Sequence, residues 1–227
     1  MQLTSFGCSV TFGTELSDTI QDPTGTTAST LTWPAIVAQR LDLKYQCIAR
    51  GGTGNLAIAD RVLLNRSLKP NDIFVINWTY IDRFDYIDRT IEPNARGALQ
   101  YHTILPNRDD AVADFYYRNL HSEFRDKLVS LLYMRAVLDT LLQHSTRFAM
   151  TCLDPTLFCD QWHASDQILE LQRHIKPHVL DFAGKTFLQW CKEHAYPTSA
   201  AGHPLDEAHR AAADSMLPKI SRLTAKS

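Results

Sequence analysis

The spacing of apolar and polar residues changes several times along the chain, and each change marks an element. Gln2 to Gly7 alternates weakly around Leu3 and Phe6, which predicts a first short strand. Thr14 to Thr32 has no apolar period and reads as loop. Thr32 then stands where a helix cap belongs, with Pro34 just inside the helix and Ile36, Val37, Leu41 and Leu43 as its apolar face. Tyr45 to Ala49 predicts a second strand, closed by glycines at 51, 52 and 54. A second helix is expected from about Asn55 to Leu68, stopped by Pro70-Asn71. Ile73-Phe74-Val75-Ile76 is apolar without alternation, as in a strand buried on both faces.

The pattern dissolves from Asp82 to about Asp110 into Arg, Asp, Asn and Pro mixed with aromatics. Val112 to His144 is amphipathic and predicts one long helix, with a break near His121. Arg147 to Leu153 is the fourth strand, Val179 to Phe182 a candidate fifth, and helices are expected over Asp166–Ile175, Thr186–His194 and Asp206–Leu217. Strands alternating with helices imply a parallel sheet covered on both faces. The fold class is therefore α/β, a three-layer α/β/α sandwich around a central parallel sheet of about five strands. The expected organisation is one domain over residues 1–227 with an inserted loop and helical region at about 82–145.

Composition narrows the setting. Apolar residues make up 44% and charged residues 21% of the 227 positions, the balance of a chain with a real core. A net charge of −2 offers no electrostatic attraction for nucleic acid or an anionic membrane, and neither is expected as a partner. No apolar run approaches a membrane span and no signal peptide precedes the first strand, so the expected location is cytoplasmic. The five cysteines, Cys8, Cys47, Cys152, Cys159 and Cys191, are scattered without metal spacing and read as reduced thiols. Neither a metal nor another cofactor is expected.

Candidate chemistry gathers at the two ends of the chain. Ser9 lies where the first strand ends, in Gly7-Cys8-Ser9-Val10-Thr11-Phe12-Gly13, between glycines that let the backbone turn and expose a hydroxyl. Such a hydroxyl becomes a nucleophile only beside a base. His203, in Gly202-His203-Pro204-Leu205-Asp206-Glu207-Ala208-His209, is the best placed of the nine histidines, with His209 as its neighbour. Cys8 is a rival nucleophile by chemistry, but side chains alternate near a strand end, which sends it to the opposite side from Ser9.

These blocks resemble those of the SGNH (GDSL-type) hydrolases. Gly7 to Gly13 is similar to the opening G-D-S-x-T-x-G block with cysteine in place of aspartate. Arg50-Gly51-Gly52-Thr53-Gly54-Asn55 resembles the second block, and His203-Pro204 followed by His209 resembles the last. The resemblance implies a serine hydrolase of carboxylic esters, an acyl or acetyl esterase on a small-molecule or glycan ester, with Ser9 as nucleophile and His203 as general base. It also implies an oxyanion hole built from the backbone N–H groups of Ser9 and Gly54 and a third side-chain donor. Thr79 stands in register for that donor, with Asn77 and Asn55 as the other candidates.

The departures leave alternatives open. The family's aspartate three residues before the histidine is here Ala200. Ser199, a backbone carbonyl, a carboxylate from elsewhere or a bare Ser–His dyad could take over, while Asp206 is a weak substitute on the helical side. An acyltransferase differs only in the second nucleophile. Cys8, Thr79 and Ala200 departing together also fit a non-catalytic binding protein on the same fold. A nucleotide-binding domain using Gly51–Asn55 as a phosphate loop lacks the Lys-Ser/Thr that such loops need. The aromatics and cations between Asp82 and Phe124, among them Arg83, Tyr86, Arg89, Tyr101, His102, Tyr116, Tyr117 and His121, suit either a substrate cap or ordinary loop packing, and Asp82 and Asp85 read as solvated.

Overall fold

A computed structural model describes residues 1–19, 21–22, 25–65, 71–87, 100–106, 108 and 110–225. Leu68, Pro70 and Arg89 lie outside them. In chain order the elements are β1 (Gln2–Phe6), α1 (Ser9–Phe12), β2 (Gln21–Asp22), β3 (Gly25–Thr26), α2 (Trp33–Arg40), β4 (Lys44–Cys47) and α3 (Asn55–Leu63). Then follow β5 (Ile73–Trp78), β6 (Phe84–Ile87), β7 (Tyr101–Ile104), α4 (Ala111–Asn119), α5 (Glu123–Gln143), β8 (Arg147–Cys152), α6 (Asp166–Ile175), α7 (Phe187–Glu193) and α8 (Asp206–Thr224).

The central sheet runs β4-β1-β5-β8, every pair parallel. It has four strands rather than five. The expected fifth is reduced to a single bridge of Val179 with Met150, where Leu180 N–H donates to the Met150 carbonyl at 2.7 Å. Asp181 onward turns away at once, and Phe182 is drawn into the core beside Trp33, Phe187 and Trp190. All six residues of β5 are buried, as its unbroken apolar run requires.

Each face of the sheet carries its own core. Leu3, Ile73 and Val75 pack with residues of α2, α7 and α8 on one side. Phe6, Phe74 and Ile76 pack with α3, α5 and α6 on the other, where the Phe6 and Phe74 rings stand 5.1 Å apart. The amphipathic stretch after the insertion is two helices. Ser122 accepts from Arg125 N–H and restarts the helix after Leu120, so α5 forms the crossover between β5 and β8. The final helix runs past Pro218 to Thr224, because Ile220 beyond the proline is fully buried and holds the last turns down. Among the described residues, no helix is long and apolar enough to cross a membrane.

From β1 the chain crosses to β4 on one side, and from β5 it crosses to β8 on the other. The carboxyl ends of β1 and β5 therefore flank the point where the winding reverses, the usual place for a ligand in such sheets.

Candidate active site

Ser9 is placed by a turn that only small groups allow. At Gly7 a Cβ would stand 2.4 Å from Thr11 Oγ1, so the turn after β1 closes only on a glycine. Thr11 Oγ1 in turn accepts from Asn77 Nδ2 at 3.1 Å, and Asn77 Oδ1 accepts from Thr151 Oγ1 at 3.0 Å. This chain ties the turn across β5 to β8. Cys8 precedes α1 and is fully buried in the core, while Ser9 opens the helix and is 7% exposed.

His203 arrives from the other end of the chain in a tight loop. Thr198 bridges Pro204, Ser199 N–H donates to the His203 carbonyl at 2.9 Å, and Gly202 takes the left-handed conformation at φ 81°. The imidazole Nε2 lies 2.9 Å from Ser9 Oγ. Its Nδ1 lies 2.5 Å from Oε2 of Glu15. A carboxylate only accepts, so Nδ1 carries the proton and Nε2 of the neutral ring accepts from the serine hydroxyl.

Sequence reasoning missed Glu15. It sits in the aperiodic loop after Gly13, one carboxylate among several there, and no spacing rule singles it out. The structure surrounds it with supports. Ser199 Oγ donates to the same Oε2 at 2.6 Å, and the Glu15 carboxyl is held below its ordinary range by the bonds from Ser199 and His203. The backbone of Glu15 is left-handed, φ 70°, a conformation a β-carbon disfavours. Two clamps keep the loop there. Ser17 donates through N–H and Oγ to the Asp206 carboxylate at 3.1 and 2.5 Å, and Asp18 accepts from Ser29 and Thr30. Asp206 thus bonds to the loop that carries Glu15 rather than to His203.

His209 is buried, and its Nδ1 accepts from Trp33 N–H at 3.2 Å. Burial pushes its pKa down to about 4, which keeps it neutral as a pin between α8 and α2.

The residues expected around an oxyanion are engaged differently. Among the described residues, nothing accepts from the Ser9 N–H at the start of α1. Gly54 N–H, expected to be open, donates instead to Asp85 Oδ1 at 3.0 Å, and Ala57 N–H donates to Oδ2 at 2.9 Å. Asp85 is therefore buried at the N-terminus of α3 rather than solvated, because the helix start needs an acceptor. Asn77 spends its side chain on Thr11 and Thr151. Asn55 spends its own on the Thr79 backbone, at 2.9 and 3.2 Å, and on Ser130 at 3.1 Å. The Thr79 hydroxyl is sealed from solvent and has no partner among the described residues.

Of the two readings of the aromatic segment, the contacts among its described residues favour loop packing. Phe84 stacks on Tyr116 at 4.4 Å, Tyr86 on His102 at 5.5 Å, and Tyr117 Oη donates to the Asp82 carbonyl. An open cleft of about 370 Å³ instead lies beside Glu15, lined also by Phe12, Thr14, Thr19, Thr26, Arg50 and Gly51. No group of three His, Cys, Asp or Glu side chains that could hold a metal occurs among the described residues.

No protein-family model matches the chain, and no curated protein matches its sequence. Solved structures do. An acetyl xylan esterase from Butyrivibrio proteoclasticus aligns over 97% of this chain at 14% identity with a TM-score of 0.53. TesA aligns over 98% of this chain and 99% of its own length, at 11% identity and a TM-score of 0.57. The esterase EstA from a Pseudoalteromonas species aligns over 97% of both chains at 10% identity and a TM-score of 0.51. The chain spans only 63% of the length of the acetyl xylan esterase. On this likeness, the chain carries the fold of the SGNH (GDSL-type) hydrolases.

Proposed function

We propose that the protein hydrolyses carboxylic esters through Ser9, His203 and Glu15. One observation carries this reading: the unbroken line of hydrogen bonds from Ser9 Oγ through both ring nitrogens of His203 to Glu15. Ser9 Oγ attacks the acyl carbonyl while Nε2 of His203 takes its proton. Glu15 holds the tautomer that leaves Nε2 free and stabilises the imidazolium that forms. The Ser9 N–H, which meets no acceptor among the described residues, donates to the developing oxyanion. His203 then gives the proton to the departing alcohol, and water, activated by the same ring, releases the acyl group from Ser9. The likeness in fold to an acetyl xylan esterase favours a small acyl group on a small or carbohydrate-linked alcohol.

A fluorophosphonate probe and a short-chain aryl acetate test the reading together. Labelling and hydrolysis should both disappear in Ser9→Ala while the fold is retained. Labelling that survives in Ser9→Ala overturns Ser9 as the nucleophile, and a wild-type protein inert to both reagents overturns the hydrolase and leaves a binding protein on this fold.

A further inference from the structure

Glu15 and His203 stand on loops 188 residues apart, and no covalent geometry sets one against the other. The Glu15 side chain is also 39% exposed, with three torsions that can swing it into solvent. A carboxylate left to those torsions would meet Nδ1 only part of the time. An acid on the hairpin that carries the base would be held by the chain itself, whereas this one needs a seat.

Ser199 supplies it. Its hydroxyl has one hydrogen, which goes to Glu15 Oε2 at 2.6 Å, while its oxygen accepts the backbone N–H of His203 at 3.2 Å. His203 Nδ1–H reaches the same Oε2 at 2.5 Å. The three bonds close a ring that runs from the His203 backbone through Ser199 and Glu15 back to the imidazole. Ser199 N–H donates to the His203 carbonyl and Gly202 N–H to the Ser199 carbonyl, both at 2.9 Å, which fixes the hydroxyl relative to the base. A hydroxyl that accepts while it donates is the stronger donor. Of the two side chains that hold the Glu15 carboxyl below its ordinary range, Ser199 contributes more than His203.

We propose that Ser199 is a positioning residue of this site: its hydroxyl seats the Glu15 carboxylate on His203 Nδ1 and acts on the ester only through that contact. This rests on the hydrolase reading above. The rival role is a purely structural one, in which Ser199 merely closes the hairpin by accepting from His203 N–H.

Variants assayed on a short-chain aryl acetate separate the two roles. Ser199→Ala should lower kcat about 10- to 100-fold with KM little changed, the scale of a misplaced catalytic group. Ser199→Thr keeps the hydroxyl and should restore most of kcat. In a Glu15→Ala background, Ser199→Ala should cost less than about threefold more, because the carboxylate it seats is already gone. An unchanged kcat in Ser199→Ala, a loss that Ser199→Thr does not restore, or the full loss repeated without Glu15 each overturn the proposal.

Carbon-13 NMR titration of the Glu15 carboxyl needs no turnover, so it decides the role of Ser199 even if no ester is hydrolysed. The midpoint should rise in Ser199→Ala and stay low in Ser199→Thr. The other charged groups near Glu15 are Arg50 on the same cleft and Asp206 bonded to Ser17, and they are common to both variants. A midpoint that does not move in Ser199→Ala refutes the seat, whatever the ester assay gives. A shifted midpoint in a protein inert to esters keeps the seat and overturns the hydrolase reading instead.

Discussion

Glu15 holds a left-handed backbone that costs a residue with a β-carbon on the order of 1 kcal/mol. That cost is borne at the position whose carboxylate reaches His203, which ties the strain to the proposed relay. Glu15→Gln keeps the shape but turns an acceptor into a side chain that can present its amide hydrogens to Nδ1. We expect kcat to fall by about 10³- to 10⁴-fold with KM little changed, the scale seen when the acid of such a relay loses its charge. Ala200→Asp, placed where related blocks carry their acid, should leave kcat flat or lower it, because Nδ1 is already bonded at 2.5 Å. A gain in kcat for Ala200→Asp would show that Glu15 does not orient the ring. Ser9 and His203 could be picked out of the sequence because each sits in a short local pattern of glycine or proline. Glu15 could not, because its role comes from a loop folded by Ser17, Asp18 and Ser199, contacts that no local spacing encodes.

At the scale of elements, Asp85 and Gly54 form one unit at the start of α3. A Cβ on residue 54 would stand 2.5 Å from Asp85 Oδ2, while the backbone there, φ −93° and ψ −179°, is open to any residue. Gly54→Ala should therefore cost roughly 2 kcal/mol by crowding alone. Asp85→Ala should cost about 1–2 kcal/mol by stripping the acceptor from two helix-start amides. The double variant should lose less than the sum by about 1 kcal/mol or more in urea denaturation, because the clash is then gone. Additive losses would show that the two do not share a contact.

His209 joins α8 to α2 and brings a pH dependence with it. Its folded pKa, about 4, lies below the ordinary value of 6.5, so the unfolded chain binds the proton more readily. The stability it lends is complete above about pH 6.5 and is lost as pH falls towards 4, a span worth roughly 3 kcal/mol. His209→Asn keeps an acceptor for Trp33 N–H without a titrating ring and should flatten that part of the stability curve. The helix that carries it was read from its alanine-rich stretch only as far as Leu217. A proline is the expected stop, and only the burial of Ile220 carries the helix beyond it.

For the molecule as a whole, the sheet was readable because short strand segments, the unbroken apolar run of β5 above all, alternate with helical ones, and that alternation requires parallel crossovers. The fifth strand was over-read. Val179 to Phe182 is apolar enough, but its pairing ends after one bridge because Phe182 is taken up by the core under α2 and α7. The carboxyl-end crevice brings residues far apart in sequence to one place. Ser9 opens α1 and Glu15 follows in the loop just after it, whereas the Ser9–His203 bond spans 194 residues. In refolding from denaturant, fluorophosphonate labelling should therefore lag the recovery of helix and sheet signals, since closing so long a contact comes late. Simultaneous recovery would show that α8 docks with the first strands. The same separation bears on synthesis. A ribosome delivers the proposed nucleophile and acid long before the proposed base, so on this reading a growing chain stays chemically silent until His203 clears the exit tunnel and folds back onto β1.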